Sequence, residues 1–231
     1  MSANFLKHFL PDRPVPTRIW RGPFRGARVT MKPRDSLRKI LGIYEHELNG
    51  WIEAALHRSD RVVDVGANDG YFTFGCAAAF RRLGKPGEII AFEPQERHVA
   101  KLRESVNEQR PGATEITLVA SLVGAREGAG MTTLDALRWK TGDPEARSGT
   151  LLKIDVEGAE MDVLAGADSW LNPGNCFVIE VHQRAFLEQV QKLFQTKGMK
   201  LKQVNQKPLA LFGREERGEE NWWLVSDLGQ P

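Results

Sequence analysis

Arg61-Val62-Val63-Asp64-Val65-Gly66-Ala67-Asn68-Asp69-Gly70-Tyr71-Phe72 joins a short apolar run to the first turn of a helical pattern. An apolar run that ends at glycine is typical of a buried parallel strand, and the apolar residues after it keep a helical spacing. The turn between them has the pattern Asp-x-Gly-x-x-x-Gly. We expect Gly66 to let a ligand lie against the backbone and Gly70 to let helix and strand approach closely. The turn therefore lies at the carboxyl end of a strand, where open α/β sheets bind ligands.

The same alternation of strand and helix continues along the chain. Apolar runs predict seven strands, at residues 61–65, 88–92, 115–120, 151–155, 176–181, 200–205 and 221–226. A short strand is also expected around residues 28–31. Helical periods predict helices at residues 35–57 (with Gly42 and Gly50 as candidate breaks), 71–83, from Pro94 to before Pro111, 134–139, 159–167 and 184–196. Five strands that alternate with helices, then a hairpin, predict a doubly wound α/β sheet, mostly parallel with an antiparallel end.

Charge is spread unevenly along the 231 residues. The net charge is +2, yet residues 1–40 hold ten Lys/Arg and two acidic residues, Asp12 and Asp35. Five prolines in residues 1–34 oppose a long helix there. We therefore predict a basic, proline-containing N-terminal arm at 1–40 and a single domain at 41–231. Such an arm suits an anionic partner, although a solvated tail that packs on its own domain is the simpler interpretation.

The composition is that of a globular protein. A hydrophobic fraction of 41% and a charged fraction of 27% exclude a disordered or collagen-like chain. Cys76 and Cys176 lie in apolar settings, as expected of buried free thiols in a reducing compartment. No apolar run approaches the ~20 residues of a membrane span, and the N-terminus lacks the pattern of a signal peptide. We expect a cytoplasmic protein without a membrane span.

Two further strand ends carry acidic residues to the same edge of the sheet. Glu93 ends the second strand in Ala91-Phe92-Glu93-Pro94, where Rossmann-type sites use a carboxylate to accept both hydroxyl protons of a ribose. Asp155 and Glu157 follow the fourth strand in Leu152-Lys153-Ile154-Asp155-Val156-Glu157-Gly158-Ala159-Glu160. Two carboxylates and a lysine at a strand's carboxyl end are poor candidates for core packing.

Together with residues 62–70 and with Thr133-Leu134-Asp135, these segments resemble the FkbM family of S-adenosylmethionine-dependent methyltransferases. The resemblance runs from about Tyr44 to the end of the fifth strand and does not cover residues 1–40. It implies the class I methyltransferase fold, with strand order 3-2-1-4-5-7-6. It also implies transfer of a methyl group from S-adenosylmethionine to an acceptor, usually a hydroxyl oxygen of a sugar, polyketide or similar metabolite.

The resemblance further implies the positions that hold the cofactor. Glu93 would hold the ribose, Pro94 would shape the adenosine site, and Ser121 and Leu122 would border the adenine. The residues around the methionine part of the cofactor would be Asp64, Gly66, Ala67, Asn68 and Gly70, with Asp155 beside them.

Methylation of a hydroxyl oxygen benefits from a general base. His182, directly after the fifth strand, is the first candidate because a histidine there would be neutral near pH 7. Asp155 is the alternative, as base or as substrate anchor. Glu157 and Glu160 either bind the substrate together with His182 or charge the start of the following helix. The other histidines, His8, His46, His57 and His98, show no partner pattern and are expected on the surface.

A metal site is a further alternative at the same edge. Asp155, Glu157, Glu180 and His182 form an oxygen-rich set at two adjacent strand ends, which suits Mg²⁺ or Mn²⁺. The spacing fixes no coordination geometry, so we predict no metal ligand.

Three functions are compatible with this sequence. The first is an O-methyltransferase that acts on a small molecule or a glycan. The second is a nucleic-acid methyltransferase guided by the basic arm. The Asp/Asn-Pro-Pro-Tyr/Phe signature of amino-group methyltransferases and stacking aromatics in the arm are absent, so a nucleic-acid partner is not expected. The third is a non-catalytic module that binds the cofactor. Specificity is expected to come from residues 1–57, 121–150 and 206–220.

Overall fold

A computed structural model describes residues 9–109, 114–140, 142–143, 146–207, 209 and 221–229. Pro111, before which we expected a helix to end, and most of the predicted hairpin segment 206–220 lie outside these residues. The strands are β1 Val15–Arg18, β2 Arg28–Met31, β3 Arg61–Val65, β4 Gly87–Phe92, β5 Thr114–Val119, β6 Leu122–Val123, β7 Met131–Thr132, β8 Thr150–Ile154, β9 Cys176–Val181, β10 Leu201–Val204 and β11 Trp222–Ser226. The helices are α1 Leu37–Leu41, α2 Asn49–Arg58, α3 Tyr71–Leu83, α4 Glu96–Asn107, α5 Glu160–Ala165 and α6 Arg184–Thr196.

Seven of these strands form one sheet, in the order β10-β11-β9-β8-β3-β4-β5. Five consecutive strands of this order, β9, β8, β3, β4 and β5, are parallel, and β11 is antiparallel to both of its neighbours. Numbered along the chain, this is the order 3-2-1-4-5-7-6. The predicted fold, a class I methyltransferase sheet with an antiparallel strand near one end, is confirmed.

The central strands are buried because both faces of the sheet are covered. One face packs against α2, α3 and the β1–β2 hairpin, around a core that includes Leu56, Phe74 and Phe80. The other face packs against α5 and α6, around Trp170 and Phe177. Two covered faces leave the carboxyl ends of the parallel strands as the open edge, where the predicted site residues lie.

The β1–β2 hairpin shares the core of the sheet. The expected strand at residues 28–31 is confirmed as β2, and Ile19, Phe24 and Val29 are buried in the same cluster as α3. A Cβ on Gly75 of α3 would lie 2.3 Å from Cγ of Phe24, so the glycine makes room for the ring. Although these residues pack on the sheet, the division of the chain at residue 40 stays a prediction.

Two predicted helices differ from the structure. The helix predicted at 35–57 is broken by Gly42, whose φ of 70° ends α1, whereas Gly50 lies inside α2. The helix predicted at 134–139 is wrong, because this segment forms a turn. Its polar groups bond other segments: Asp135 N donates to Gly166 O at 2.9 Å, and Trp170 Nε1 donates to Leu134 O at 2.8 Å. Those partners replace the bonds that a helix would make within itself.

Cys76 and Cys176 are both buried free thiols, as predicted. In the described part of the chain, the helices are all too short or too polar to cross a membrane.

Candidate active site

The turn after β3 lies between two clefts. The first, called the Glu93 cleft, has a volume of about 900 Å³ and is open to solvent. The second, called the Lys39 cleft, has a volume of about 640 Å³ and includes aromatic side chains in its lining. Gly66, Asn68 and Asp155 line both clefts. The two clefts therefore meet where the ends of β3 and β8 lie side by side.

The backbone of this turn is fixed by neighbouring strands. The N–H groups of Gly66 and Ala67 both donate to Phe92 O, each at 3.0 Å. Gly66 has a φ of 83°, and a Cβ there would lie 1.9 Å from the carbonyl oxygen of Asp155. The glycine is therefore required by the end of β8, and its expected role in letting a ligand lie against the backbone stays a prediction.

Gly70 has the packing role that we expected. Its φ is also 83°, and a Cβ there would lie 2.4 Å from Phe74 of α3 and 2.7 Å from Leu102 of α4. Gly70 lines neither cleft, so it shapes the turn from behind.

Glu93 lies buried in the Glu93 cleft, held by two backbone bonds. Its Oε2 accepts from Asn68 N and its Oε1 accepts from Gln95 N, both at 2.9 Å. Each carboxylate oxygen keeps a free acceptor site after these bonds. Residues of the predicted adenosine side, Pro94, Ser121 and Leu122, line the same cleft.

His98 is a cleft residue that sequence reasoning missed. We expected it on the surface, yet it lines the Glu93 cleft, with its Nδ1 3.7 Å from Oε1 of Glu93. Among the described residues this buried nitrogen has no hydrogen-bond partner. Its position on α4, three residues after Gln95, was the only sequence signal.

Asp64 lies beneath the clefts and lines neither of them. Its Oδ2 accepts from Thr73 Oγ1, and its Oδ1 lies 3.3 Å from Nζ of Lys153. Burial raises the pKa of Asp64, while Lys153 and Thr73 oppose the rise. Asp64 was predicted to touch the methionine part of the cofactor, but its buried carboxylate instead holds Lys153.

Lys153 ties the two strand ends together. Its Nζ donates to Gly66 O at 2.7 Å and lies 3.2 Å from Oδ2 of Asp155. Burial lowers the pKa of this amine, but the charges of Asp155 and Asp64 outweigh burial, and the pKa is raised. A lysine inside an apolar strand was the signal for this role.

His182 lies in a cage of carboxylates. Its Nδ1 is 2.6 Å from Oε1 of Glu160, and its Nε2 is 3.5 Å from Oε2 of Glu157 and 3.8 Å from Oδ1 of Asp155. Burial lowers the pKa of His182, but the Glu160 bond and the charges of Glu180, Asp155 and Glu160 raise it to about 9. The expectation of a neutral ring near pH 7 is therefore wrong. His182 does not line either cleft.

The two glutamates predicted to bind substrate have different positions. Glu160 is fully buried, accepts from Gly158 N at 2.9 Å and lines neither cleft, so it orients His182 instead of reaching a substrate. Glu157 lines the Glu93 cleft, and its side chain is 85% exposed. Its φ of 53° is unusual for a residue other than glycine.

Three of the four residues that we considered as metal ligands lie close together. One ligand atom each from Asp155, Glu157 and His182 lies within 4.8 Å of the others. Glu180 instead accepts from Asn221 Nδ2 at 3.4 Å. These three atoms fix no coordination geometry, so we do not assign the residues as ligands.

The strand order of the sheet is that of the class I methyltransferase fold. The family model for the "Methyltransferase FkbM domain" matches residues 126–206, so the predicted resemblance to this family is confirmed. The hexuronic acid methyltransferase AglP of Haloferax volcanii is 28% identical over 153 residues, which cover 58% of this chain and 61% of that protein. The match thus spans less than two thirds of this relative.

Solved structures show the same fold. A methyltransferase FkbM from Methylobacillus flagellatus superposes with a TM-score of 0.56 and 17% identity, over 74% of this chain and 44% of that one. The putative methyltransferase yhhF from Escherichia coli superposes with a TM-score of 0.52 and 12% identity, over 94% of this chain and the whole of that one. At these identities, the likeness concerns the fold alone.

Proposed function

We propose that this chain is an S-adenosylmethionine-dependent O-methyltransferase whose acceptor is a hydroxyl group of a glycan or a related small molecule. The observation that carries the proposal is the position of the Asp155 carboxylate, which lines both clefts within the segment that matches the FkbM domain. The relative that methylates hexuronic acid supports a sugar acceptor.

The Glu93 cleft has the chemistry that an adenosine needs. Two acceptor oxygens of Glu93 suit the two hydroxyl protons of a ribose, and the orphaned Nδ1 of His98 offers a further polar contact. Pro94 and Leu122 add apolar surface for a base. Gly66, Ala67 and Asn68 would then hold the methionine part, beside Asp155. When bound, S-adenosylmethionine supplies an electrophilic methyl group on a sulfonium sulfur.

The Lys39 cleft suits the acceptor. Tyr44, Tyr71 and Phe72 contribute flat aromatic surface to its lining, and Lys39 contributes a charge. The Lys39 amine lies 2.5 Å from Oδ2 of Asp69 and about 5 Å from the centres of both tyrosine rings, so it fixes this wall. Aromatic faces beside polar groups are typical of sites that take a ring with hydroxyl groups.

Asp155 is the proton acceptor in this proposal. Asp155 would take the proton that the acceptor hydroxyl loses as its oxygen bonds the methyl carbon, while the electrons of the broken carbon–sulfur bond would stay on the sulfur. The positive charge that the oxygen gains would make this proton strongly acidic, so a carboxylate is a sufficient base. The imidazolium of His182 lies 3.8 Å away and Lys153 lies 3.2 Å away, and both hold the Asp155 carboxylate in place. His182, our first candidate for the base, becomes a positioning residue because it is protonated at neutral pH.

Transfer of isotope from methyl-labelled S-adenosylmethionine to a uronic acid glycoside tests this function. We expect label in a methyl ether of the sugar and a loss of at least roughly 100-fold in rate for Asp155→Asn, the usual size of a general-base contribution. Asp162→Asn, on the following helix, is the matched control and should retain activity. Binding of the cofactor without label in any hydroxyl acceptor would contradict the proposal and point to the non-catalytic alternative.

A further inference from the structure

A third cleft, called the Trp20 cleft, lies where the β1–β2 hairpin meets α3. It has a volume of about 740 Å³. Besides Trp20, Gly26 and Ala78, it is lined by five arginines, Arg18, Arg25, Arg28, Arg81 and Arg82. None of the described residues that line it is acidic. Part of the positive charge of residues 1–40 therefore lies in one cleft.

The clustering of these arginines destabilises the β1–β2 hairpin. Arg18 and Arg28 are directly opposite each other in the hairpin, and both are exposed. Like charges in such a pair destabilise the strands. Within the described ranges, neither arginine has a carboxylate in salt-bridge contact, and Arg25 and Arg82 share a single one, Glu53, at 3.2 and 3.6 Å. An excess of positive charge in a cleft attracts anions.

Trp20 adds a stacking surface to the arginines, so the expectation that the arm offers no stacking aromatic is wrong. The residue is 65% exposed, while its backbone N–H donates to Ile40 O at 2.8 Å and so fixes the backbone that carries the indole. An exposed indole offers a flat apolar face to a sugar ring, and the planar guanidinium groups match a carboxylate in two parallel hydrogen bonds. A ring that carries a carboxylate uses both features.

The Trp20 cleft and the Lys39 cleft border the same side of α3. Tyr71 lines the Lys39 cleft and Ala78 lines the Trp20 cleft. Seven residues of helix separate them, a rise of about 10 Å. Phe24, which lines the Lys39 cleft, contacts Gly75 between these two positions of the helix. A short oligosaccharide spans such a distance.

We infer that the Trp20 cleft binds an acidic sugar unit of an oligosaccharide whose neighbouring units extend toward the Lys39 cleft. The assignment of a sugar as the ligand rests on the proposed function. The positive charge and the exposed tryptophan of the cleft do not depend on that function. Single-stranded nucleic acid is less favoured because its sites present successive stacking aromatics, and the described lining here offers Trp20 alone.

Binding of a fluorescent short oligogalacturonate to the full chain, without cofactor, tests this inference. We expect saturable binding that weakens with salt. The variant Arg18→Gln/Arg28→Gln should lower affinity by roughly tenfold or more, since each lost charge-assisted bond weakens binding. Trp20→Ala should lower it several-fold. The control Arg103→Gln/Arg126→Gln removes two exposed arginines that do not line the cleft and should leave affinity unchanged.

Three results with the sugar oligomers would overturn the inference. They are an absence of oligogalacturonate binding, equal affinity for the fully methyl-esterified and therefore neutral oligomer, and unchanged affinity in the Arg18→Gln/Arg28→Gln variant. An RNA oligonucleotide that binds more tightly and is lost in the same variant would also overturn it, in favour of nucleic acid. The midpoint of thermal unfolding should stay constant or rise in this variant, because a like-charge pair is removed.

Failure of this inference differs from failure of the proposed function. Methyl transfer to a single-unit uronic acid glycoside, with no oligomer binding, would remove only the Trp20 site. Oligomer binding without any methyl transfer would remove only the proposed reaction.

Discussion

Replacing Glu160 by Gln should lower the pKa of His182. The carboxylate of Glu160 touches the ring at 2.6 Å, and this contact is the leading cause that raises the pKa to about 9. A group with that pKa is only ~1% neutral at pH 7, whereas a histidine at its ordinary value is roughly three quarters neutral. Gln keeps the shape and an acceptor oxygen but removes the charge. The neutral fraction at pH 7 should therefore rise several-fold, limited by the charges of Asp155 and Glu180 that remain.

Titration of the His182 ring by NMR measures this change. We expect a midpoint near 9 in the unmodified protein and a clearly lower midpoint in Glu160→Gln. Glu188→Gln removes an exposed glutamate from α6 and should leave the midpoint unchanged. A midpoint near the ordinary value of about 6.5 in the unmodified protein would refute the reasoning about the carboxylate cage.

The same pKa decides the role of His182 in methyl transfer. If the imidazolium holds Asp155, the single-turnover rate stays level from pH 7 and falls as pH rises through about 9. If neutral His182 were the base, the rate would rise about tenfold per pH unit up to the same point. Because folding raises the pKa of His182, the protonated ring stabilises the folded state fully below about pH 6.5. That stabilisation is lost as pH rises through the pKa of the folded state, about 9. The free energy of unfolding should therefore fall over this window, and fall less in Glu160→Gln.

Three further predictions concern the cofactor side and the fold. Glu93→Gln should raise the calorimetric Kd for S-adenosylhomocysteine roughly tenfold or more through the loss of charged acceptors, while Glu96→Gln on the surface of α4 should not; equal affinities would remove Glu93 from the site. Gly66→Ala should lower the free energy of unfolding by about 3 kcal/mol or more in denaturant titrations, because its Cβ would meet Asp155 O at 1.9 Å. Gly84→Ala, at a similar φ with open space around it, should cost only about 1 kcal/mol, and equal losses would refute the steric argument. Treatment with EDTA should leave methyl transfer unchanged; a loss that Mg²⁺ restores would support the metal alternative instead.

The sheet was predictable from sequence because its signals are local. The apolar runs that became β3 and β8 end at Gly66 and Asp155, and the helical periods between the strands fix their parallel order. The turn at 134–139 was not predictable, because its backbone and side chains bond to residues some 30 positions away. Periodicity carries no information about such partners.

The sequence predicted which residues lie at the site better than it predicted the role of each side chain. Glu93 and Asp155 stand at strand ends, so sequence order alone brings them to one edge. Burial decides what a carboxylate there does, and burial depends on packing: Asp64 and Glu160 are enclosed and act through Lys153 and His182. The tight approach of β8 to Gly66 and the seating of the β1–β2 hairpin on α3 likewise arise only in three dimensions.

A crystal structure of the complex with S-adenosylhomocysteine tests most directly whether the cofactor binds in the Glu93 cleft with its sulfur beside Asp155. We expect both ribose hydroxyls within hydrogen-bond distance of the Glu93 carboxylate and the adenine between Pro94 and Leu122. We expect the sulfur beside Asp155 and open to the Lys39 cleft. A ligand bound outside the Glu93 cleft, or a sulfur on the far side of the turn from Asp155, would contradict this expectation.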